Sequence, residues 1–475
     1  MRKPLSPSSA LAKYTYELRF DDVPTEVVDY AKTLSLDLLG VAIAGVQTEE
    51  ARATLRACQS YGTAGGNSVL IGTGLTAPPG LSALHNGILA HALELDDFNG
   101  ADHSGAVVIP ALIALAGQDR SISGKRLLES IVVGYDIAKR LMDGCGGYAA
   151  ANAGGWHSTG PCGSLGAAAA AAKMIGLDET EIINALGLAG SFTGGTWAFL
   201  ADGSMSKRYH AGRAAETGVM VAYLAQAGFT GPAHVLDAEW GGFFKLYAPT
   251  STDLKTVTEG LDNDYRIMKA GIKPYASCRG IHSAIDVILD LRESEGLRPD
   301  DVESLEVFCT KRQRNQLGNA TPETRLAAQM SMPHSLAVAL IEGSATLDLY
   351  RKPWLGNPDV LALAQKVHFL SNVENGEETT VRVLTTAGKE YRRLAPVSRG
   401  KGGPENRMSS AEIDQKFDSL VGTVYSDGYA QELRDIVQTI DTSKDISALL
   451  AVLQRDPSAN DPCENGKLPS MASRS

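Results

Sequence analysis

Nine histidines are available for chemistry, and four of them stand among glycines and other polar residues. His103 lies in Asp102-His103-Ser104-Gly105, and His157 closes Gly154-Gly155-Trp156-His157. His210 follows Lys207 and Arg208, and His282 follows Ser277-Cys278-Arg279-Gly280. An imidazole titrates near neutrality, so these settings point to general acid–base work. The other five, His85, His91, His234, His334 and His368, sit in amphipathic or plain surroundings and most read as structural. Lys207 is the sharpest cation. In a Gly/Ala-lined pocket its ammonium either pairs with an anionic ligand or loses its proton and serves as a base; in an exposed turn it does neither. Arg208, Arg213, Lys273 and Arg279 add guanidinium and ammonium groups suited to gripping carboxylates.

Carboxylates gather elsewhere. An apolar stripe through Leu81, Leu84, Ile88, Ala92 and Leu95 predicts a helix over 81–97 that runs into Glu94, Asp96 and Asp97. Three acids at a helix C-terminus oppose its dipole, which favours cations there. A solvated helix end and a site lining both account for them, and the glycines and His103 that follow put the lining on an equal footing with the solvated end.

The elements that must position these groups centre on residues 154–213. A run of six alanines at 167–172 and a high density of glycine let helices approach closely, which makes any buried polar group costly unless it has a partner. Helices are expected at 105–118, 125–142, 164–176, 178–190 and 212–228, with Gly176 and Gly228 as stops and Asp178/Glu181 as a capping box. No convincing hairpin precedes residue 265. After it, 302–309 and 379–384 alternate, the latter turning at Ala387-Gly388 into 389–394, with helices at 281–292 and 333–343. Arg399 to Pro404 reads as a loop, and Ser409 with Glu412 caps a helix over 410–421. The expected class is mainly α: a discontinuous all-helical domain (1–265 and 400–455), a smaller α+β domain (266–399) and a disordered tail (456–475).

With 475 residues, 44% hydrophobic and a net charge of −11, the chain is long enough for two domains and has no basic block for nucleic acid. No apolar run reaches the length of a bilayer span. The cysteines at 58, 145, 162, 278, 309 and 463 form no C-x-x-C pair, which fits a reducing, cytoplasmic setting and not a zinc knot. A basic, Ser-bearing start keeps a mitochondrial address open. Gly72-Thr-Gly74-Leu-Thr-Ala77 imitates a dinucleotide fingerprint, but Pro78-Pro79 follow where that motif needs a helix. His103, His157 and the nearby acids are ligand types, yet no H-x-x-x-H or H-x-x-E pair on a helix supports a metal site.

Taken together, Leu36–Ala42, residues 86–112, 154–177 and 201–217, Trp240–Phe243, Lys273–His282 and Pro404–Phe417 resemble the MmgE/PrpD family over roughly residues 10–455. The family includes 2-methylcitrate dehydratases, cis-aconitate decarboxylases and an iminodisuccinate epimerase. The resemblance implies a large helical domain with a smaller α+β lid, a homodimer, and neither metal nor organic cofactor. It maps a site onto His103, His157, Lys207 and His282 as catalytic groups, with Glu94, Asp97, Arg208, Lys273, Cys278 and Arg279 binding substrate. Mammalian decarboxylases carry histidine where Cys278 stands, whereas fungal ones resemble this chain, with His282 four residues on. The dehydratases commonly show Gly-His-Pro around the first histidine; Asp102-His103-Ser104 is nearer the fungal decarboxylases. The implied activity is lyase chemistry on a small di- or tricarboxylate, cis-aconitate-like decarboxylation ahead of 2-methylcitrate-type dehydration. A dicarboxylate isomerase or epimerase and a non-catalytic carboxylate binder are the remaining readings.

Overall fold

The computed structural model describes residues 5–62, 66–100, 102–261, 263–371, 379–395, 400–426 and 428–460. Most of them are helical, and the only sizeable sheet among them has four strands. One hydrophobic core draws on residues from Leu11 to Ile272 and again from Ile413 to Leu453. A second runs from Cys278 to Ala395. A small third cluster, including Val41, Leu93, Ala276, Tyr350 and Leu420, lies where segments of both meet.

The larger core is built on six helices: Thr25–Gly45, Pro79–His91, Gly105–Ala116, Gly124–Gly144, Pro161–Ile175 and Ser206–Gln226. All six alanines of 167–172 are fully buried. Glycine sets the spacing: a Cβ on Gly87 would lie 2.8 Å from Cα of Gly212, and one on Gly218 would lie 2.5 Å from Cβ of Ala167. Backbones thus pack without intervening bulk, and a side chain added there meets main chain that cannot move aside. The Asp178/Glu181 and Ser409/Glu412 capping boxes both form.

In the smaller core, strand Val302–Cys309 pairs in parallel with Val367–Ser371 and antiparallel with Thr379–Thr385, which forms a hairpin with Glu390–Ala395. Helices Arg279–Ser294 and Met332–Glu342 contribute to this same core. The 367–371 strand escapes the alternation test because it is a five-residue edge paired on one side only.

Three expectations shift. The helix over 81–97 ends at His91, because Glu94 takes a left-handed conformation (φ 57°) that a helix cannot continue through. The helix expected at 212–228 begins at Ser206, so Lys207 and Arg208 occupy its first turn, not an exposed one. A two-residue ladder, Ser68–Val69 with Thr76–Ala77, closes the turn holding Gly72 and Gly74, both left-handed. Cys463 and residues 461–475 of the expected tail lie outside the described residues, as do 396–399 of the expected loop; Pro457–Asn460 form a 3-10 turn. No helix among the described residues is long and apolar enough to cross a membrane.

Candidate active site

The turn after helix Pro79–His91 is the hinge of the site. Its free carbonyls are met one by one from distant segments. Arg325 donates to Ala92 O (2.7 Å), Gln329 to Leu93 O (2.7 Å), Lys273 to Glu94 O (3.3 Å) and Lys416 to Leu95 O (2.8 Å). Three of these four donors are cations at a helix C-terminus, where the dipole favours them. They offset the three acids that follow. Phe98 then exchanges two backbone hydrogen bonds with Gly271 (2.9 and 3.0 Å), tying the turn to the chain just before Lys273. Glu94, Asn99 and Asp102 all have positive φ, a concentration of backbone strain that tertiary contacts must hold in place.

Glu94 is the anchor of a cation cage. Lys207 and Arg208 donate to its two carboxylate oxygens, and Lys273 Nζ lies 3.2 Å from Oε1. All four side chains are buried. Burial alone would raise the Glu94 carboxyl, but Lys207, Lys273 and Arg208 overcome it and hold the group well below the usual carboxylate range. Desolvation lowers Lys207, with Glu94 opposing; Lys273 is also desolvated, yet Glu94 and Asp96 leave it raised. Both ammonium groups are read as charged, because each has a carboxylate within hydrogen-bond reach. Lys207 and Arg208 stand at a helix N-terminus, where the dipole opposes cations. Three cations on one carboxylate, added to that dipole, leave a surplus of positive charge that calls for an anion.

A second cluster is built of imidazoles. Asp96 Oδ2 accepts from His91 Nδ1 (3.0 Å) and lies 2.9 Å from His103 Nδ1. Asp102 Oδ2 lies 3.5 Å from His103 Nε2 and 3.6 Å from His157 Nε2. His157 Nδ1 in turn meets His210 Nδ1 at 3.0 Å, and Thr159 Oγ1 lies 3.3 Å from His157 Nε2. Burial pushes Asp102 up, but His103, His157 and Lys207 outweigh it and bring the carboxyl down to about 2. Asp96 is likewise held well below its ordinary range by His91 and His103 against its own burial. Burial drives His157 down to about 3 and His91 well below its ordinary value, so both rings are neutral at pH 7. Asp97 goes the other way: burial and the Asp96 charge raise it well above normal, and its Oδ1 accepts from Gly105 N (2.9 Å).

Both clusters border one cavity of about 370 Å³. Its wall includes Glu94, Asp102, His103 and Lys207 from the helical core, Cys278 and Arg279 from the start of helix Arg279–Ser294, and Arg312 and Gln316 from helix Lys311–Leu317. Tyr148, Trp197, Pro404 and Glu405 complete much of the rest. Arg279 stacks on Phe98 (4.1 Å to the ring) and donates to the carbonyls of Gly400 (2.6 Å) and Lys401 (2.7 Å). It thereby joins the two cores beside the cavity.

Of the residues singled out in the sequence, Glu94, His103, Lys207, Cys278 and Arg279 line the cavity. His157 stands behind Asp102, and Arg208 and Lys273 back the cage. Asp97 and His282 are not among the lining residues. His282 points its Nε2 at Ser277 O (3.1 Å) and stacks edge-on against Tyr275. Arg213 pairs with Glu216 (2.7 Å) and does not reach the cavity.

Comparison with known proteins bears on this arrangement. The MmgE/PrpD N-terminal domain matches residues 9–254 and the MmgE/PrpD C-terminal domain matches residues 275–442. The chain belongs to the MmgE/PrpD family. Curated relatives include a cis-aconitate decarboxylase of Aspergillus terreus, 28% identical over 94% of this chain and 95% of its own length. A cis-aconitate decarboxylase-like protein of Aspergillus oryzae is 27% identical over 94% and 97%. The human cis-aconitate decarboxylase is 24% identical over 99% and 100%.

For this MmgE/PrpD protein, sequence reading passed over His91, Asp96 as a histidine partner, and the Tyr148, Trp197, Arg312 and Gln316 part of the wall. His91 reads as structural in the sequence because it sits in an amphipathic helix with no polar or glycine cluster around it. Only its distance of five residues from Asp96, across the helix end, carried any signal. The histidines do meet as possible metal ligands despite having no helical ligand spacing: His91, His103 and His157 each offer an atom within 4.8 Å of the others.

Proposed function

We propose that the protein is a lyase acting on a small di- or tricarboxylate of the citrate/aconitate class, with cis-aconitate-type decarboxylation favoured over 2-methylcitrate-type dehydration. The observation that carries this reading is the pairing, on one cavity wall, of Lys207 from an over-positive cage with His103 between two carboxylates. The named activity of the relatives, at full-length coverage, supports the same choice.

The shared difficulty of these reactions is negative charge on carbon beside a carboxylate. That charge spreads into the carboxylate as an enediolate when cations meet it. One preorganised donor contributes about 3 kcal/mol to the transition state. Lys207, backed by Arg208 and Lys273, supplies that field. In decarboxylation the C–C bond to one carboxylate breaks and CO₂ departs. The electron pair passes into the framework conjugated with a remaining carboxylate, and His103 returns one proton to carbon. Each His103 nitrogen faces a carboxylate, Asp96 Oδ2 at 2.9 Å from Nδ1 and Asp102 Oδ2 at 3.5 Å from Nε2. His157, neutral and linked to His210, is placed to relay protons. Cys278, raised by burial, is a neutral wall. Homodimer assembly belongs to the same reading; exposed Trp240, Phe229 and Leu246 offer apolar surface for a second copy, which sedimentation would detect.

Purified protein incubated with cis-aconitate and, separately, 2-methylcitrate, followed by NMR, tests the reading. CO₂ loss from cis-aconitate is the expected result. Dehydration of 2-methylcitrate alone moves the protein to the dehydratases, deuterium uptake without net loss marks an isomerase, and binding without turnover leaves a carboxylate receptor.

A further inference from the structure

His91, His103 and His157 come from three separate segments and converge beside the cavity, all buried, with one ligand atom of each within 4.8 Å of the others. We propose that these three imidazoles, with solvent in the open fourth position, form a binding site for a divalent transition-metal ion of the zinc class, and that its occupancy stops turnover by taking His103 and His157 out of proton transfer. The binding rests on geometry alone; the block on turnover rests on the activity proposed above.

Asp102 Oδ2 is 3.5 and 3.6 Å from the Nε2 atoms of His103 and His157. A tetrahedral ion with bonds of about 2.0–2.1 Å requires ligand–ligand edges of roughly 3.3 Å. Binding requires the three rings, whose ligand atoms lie within 4.8 Å of one another, to draw together. Asp96 receives the Nδ1 side of both His91 and His103, the arrangement in which a carboxylate orients ligand imidazoles and leaves Nε2 as the donor atom. His91 Nε2 is fully buried and has no hydrogen-bond partner among the described residues, a lone pair aimed at nothing the protein supplies. The positive cage around Lys207 opposes a cation nearby, and the Asp96 and Asp102 carboxylates on the imidazole side favour one. His103 and Asp102 lie on the cavity wall, so the ion has an entry path. Imidazole donors select zinc, cobalt, nickel or copper over calcium and magnesium.

Cobalt(II) titrated into the full-length protein reads the site independently of catalysis. The expected result is the visible absorption of a four-coordinate ion, saturating at one per chain and displaced by zinc. His91→Ala weakens binding by at least about tenfold, in the range seen when ligand environments are cut. His157→Asn does the same, and His85→Ala, a buried histidine outside the triad, does not; thermal melts confirm that each variant is folded. No absorption with the wild-type chain, or equal binding by His91→Ala and His157→Asn, overturns the site. Zinc at saturating occupancy should abolish cis-aconitate turnover and a chelator restore it; undiminished turnover at saturation overturns the block. Metal-free protein that binds cobalt but turns over no substrate removes the proposed activity, and the block with it, and leaves the site standing.

Discussion

Around Glu94, three cations share one carboxylate; around Asp96 and Asp102, two carboxylates share three imidazoles. Both clusters are buried and both touch the same cavity, but their charge is fixed in one and mobile in the other. An ammonium or guanidinium held on a carboxylate does not change state near neutrality. A neutral imidazole can take a proton at one ring nitrogen and release one from the other without keeping the charge, which suits rings that burial holds neutral. The first cluster is therefore suited to holding an anion and stabilising developing negative charge, and the second to moving protons. Binding and proton transfer are separated into two groups of residues that share one turn, through Glu94 and Asp96, and border one cavity.

The sharpest way to break this contrast is Glu94→Gln. It leaves three buried cations without their anion, and loss of one partner of a buried ion pair costs about 3–5 kcal/mol. Denaturant unfolding should register a loss of that size, and an unchanged unfolding free energy would mean that the cage does not hold the fold. The imidazole side is probed by His103→Ala, expected to reduce kcat by about 10²–10⁴-fold with only a small change in melting temperature. Lys207→Met should cost about 10²–10³-fold and, unlike His103→Ala, should also raise KM for a polycarboxylate. If the two variants gave the same kcat and KM pattern, the division of labour would fail.

Acidification separates the clusters more gently. His157, held at about 3 by burial, binds fewer protons in the folded than in the unfolded chain, where it titrates near its ordinary value of about 6.5. Stability should fall as pH drops through that interval, by up to about 1.4 kcal/mol per pH unit for this residue. Glu94, held below its ordinary value, contributes stability above about 4.5 that is lost only on further acidification. Chemical denaturation between pH 7 and 5 should therefore report the imidazoles, opposed by the raised carboxyl of Asp97, whose contribution to stability is lost as pH rises, and His157→Asn should reduce the acid-side loss there. The smallest effect belongs to Asp97→Asn. Burial and the Asp96 charge favour its neutral form, and an amide oxygen preserves the bond from Gly105 N, so stability should change by less than about 1 kcal/mol. A loss like that of Glu94→Gln would show Asp97 to be ionised.

Much of the secondary structure was legible because it depends on neighbours in sequence. The Asp178/Glu181 and Ser409/Glu412 boxes, the 302–309 strand and the 379–395 hairpin all rest on spacings of a few residues. The misses have a common cause. Helix Pro79–His91 stops early because four donors from residues 273, 325, 329 and 416 gather on carbonyls 92–95. The next helix of the site starts early because Lys207 and Arg208 find Glu94 more than a hundred residues away.

By itself the sequence determined the local elements, the close approach of Ala/Gly-rich helices, and a supply of cations and imidazoles in glycine-flanked settings. Tertiary structure alone decided that His91 joins His103 and His157 while His282 turns to a backbone carbonyl, and that adjacent Asp96 and Asp97 are driven in opposite directions. The physical reason is range. Helical and strand periodicity is a matter of nearest neighbours along the chain, whereas desolvation and Coulomb partners depend on which distant segments the packed core brings within a few ångströms.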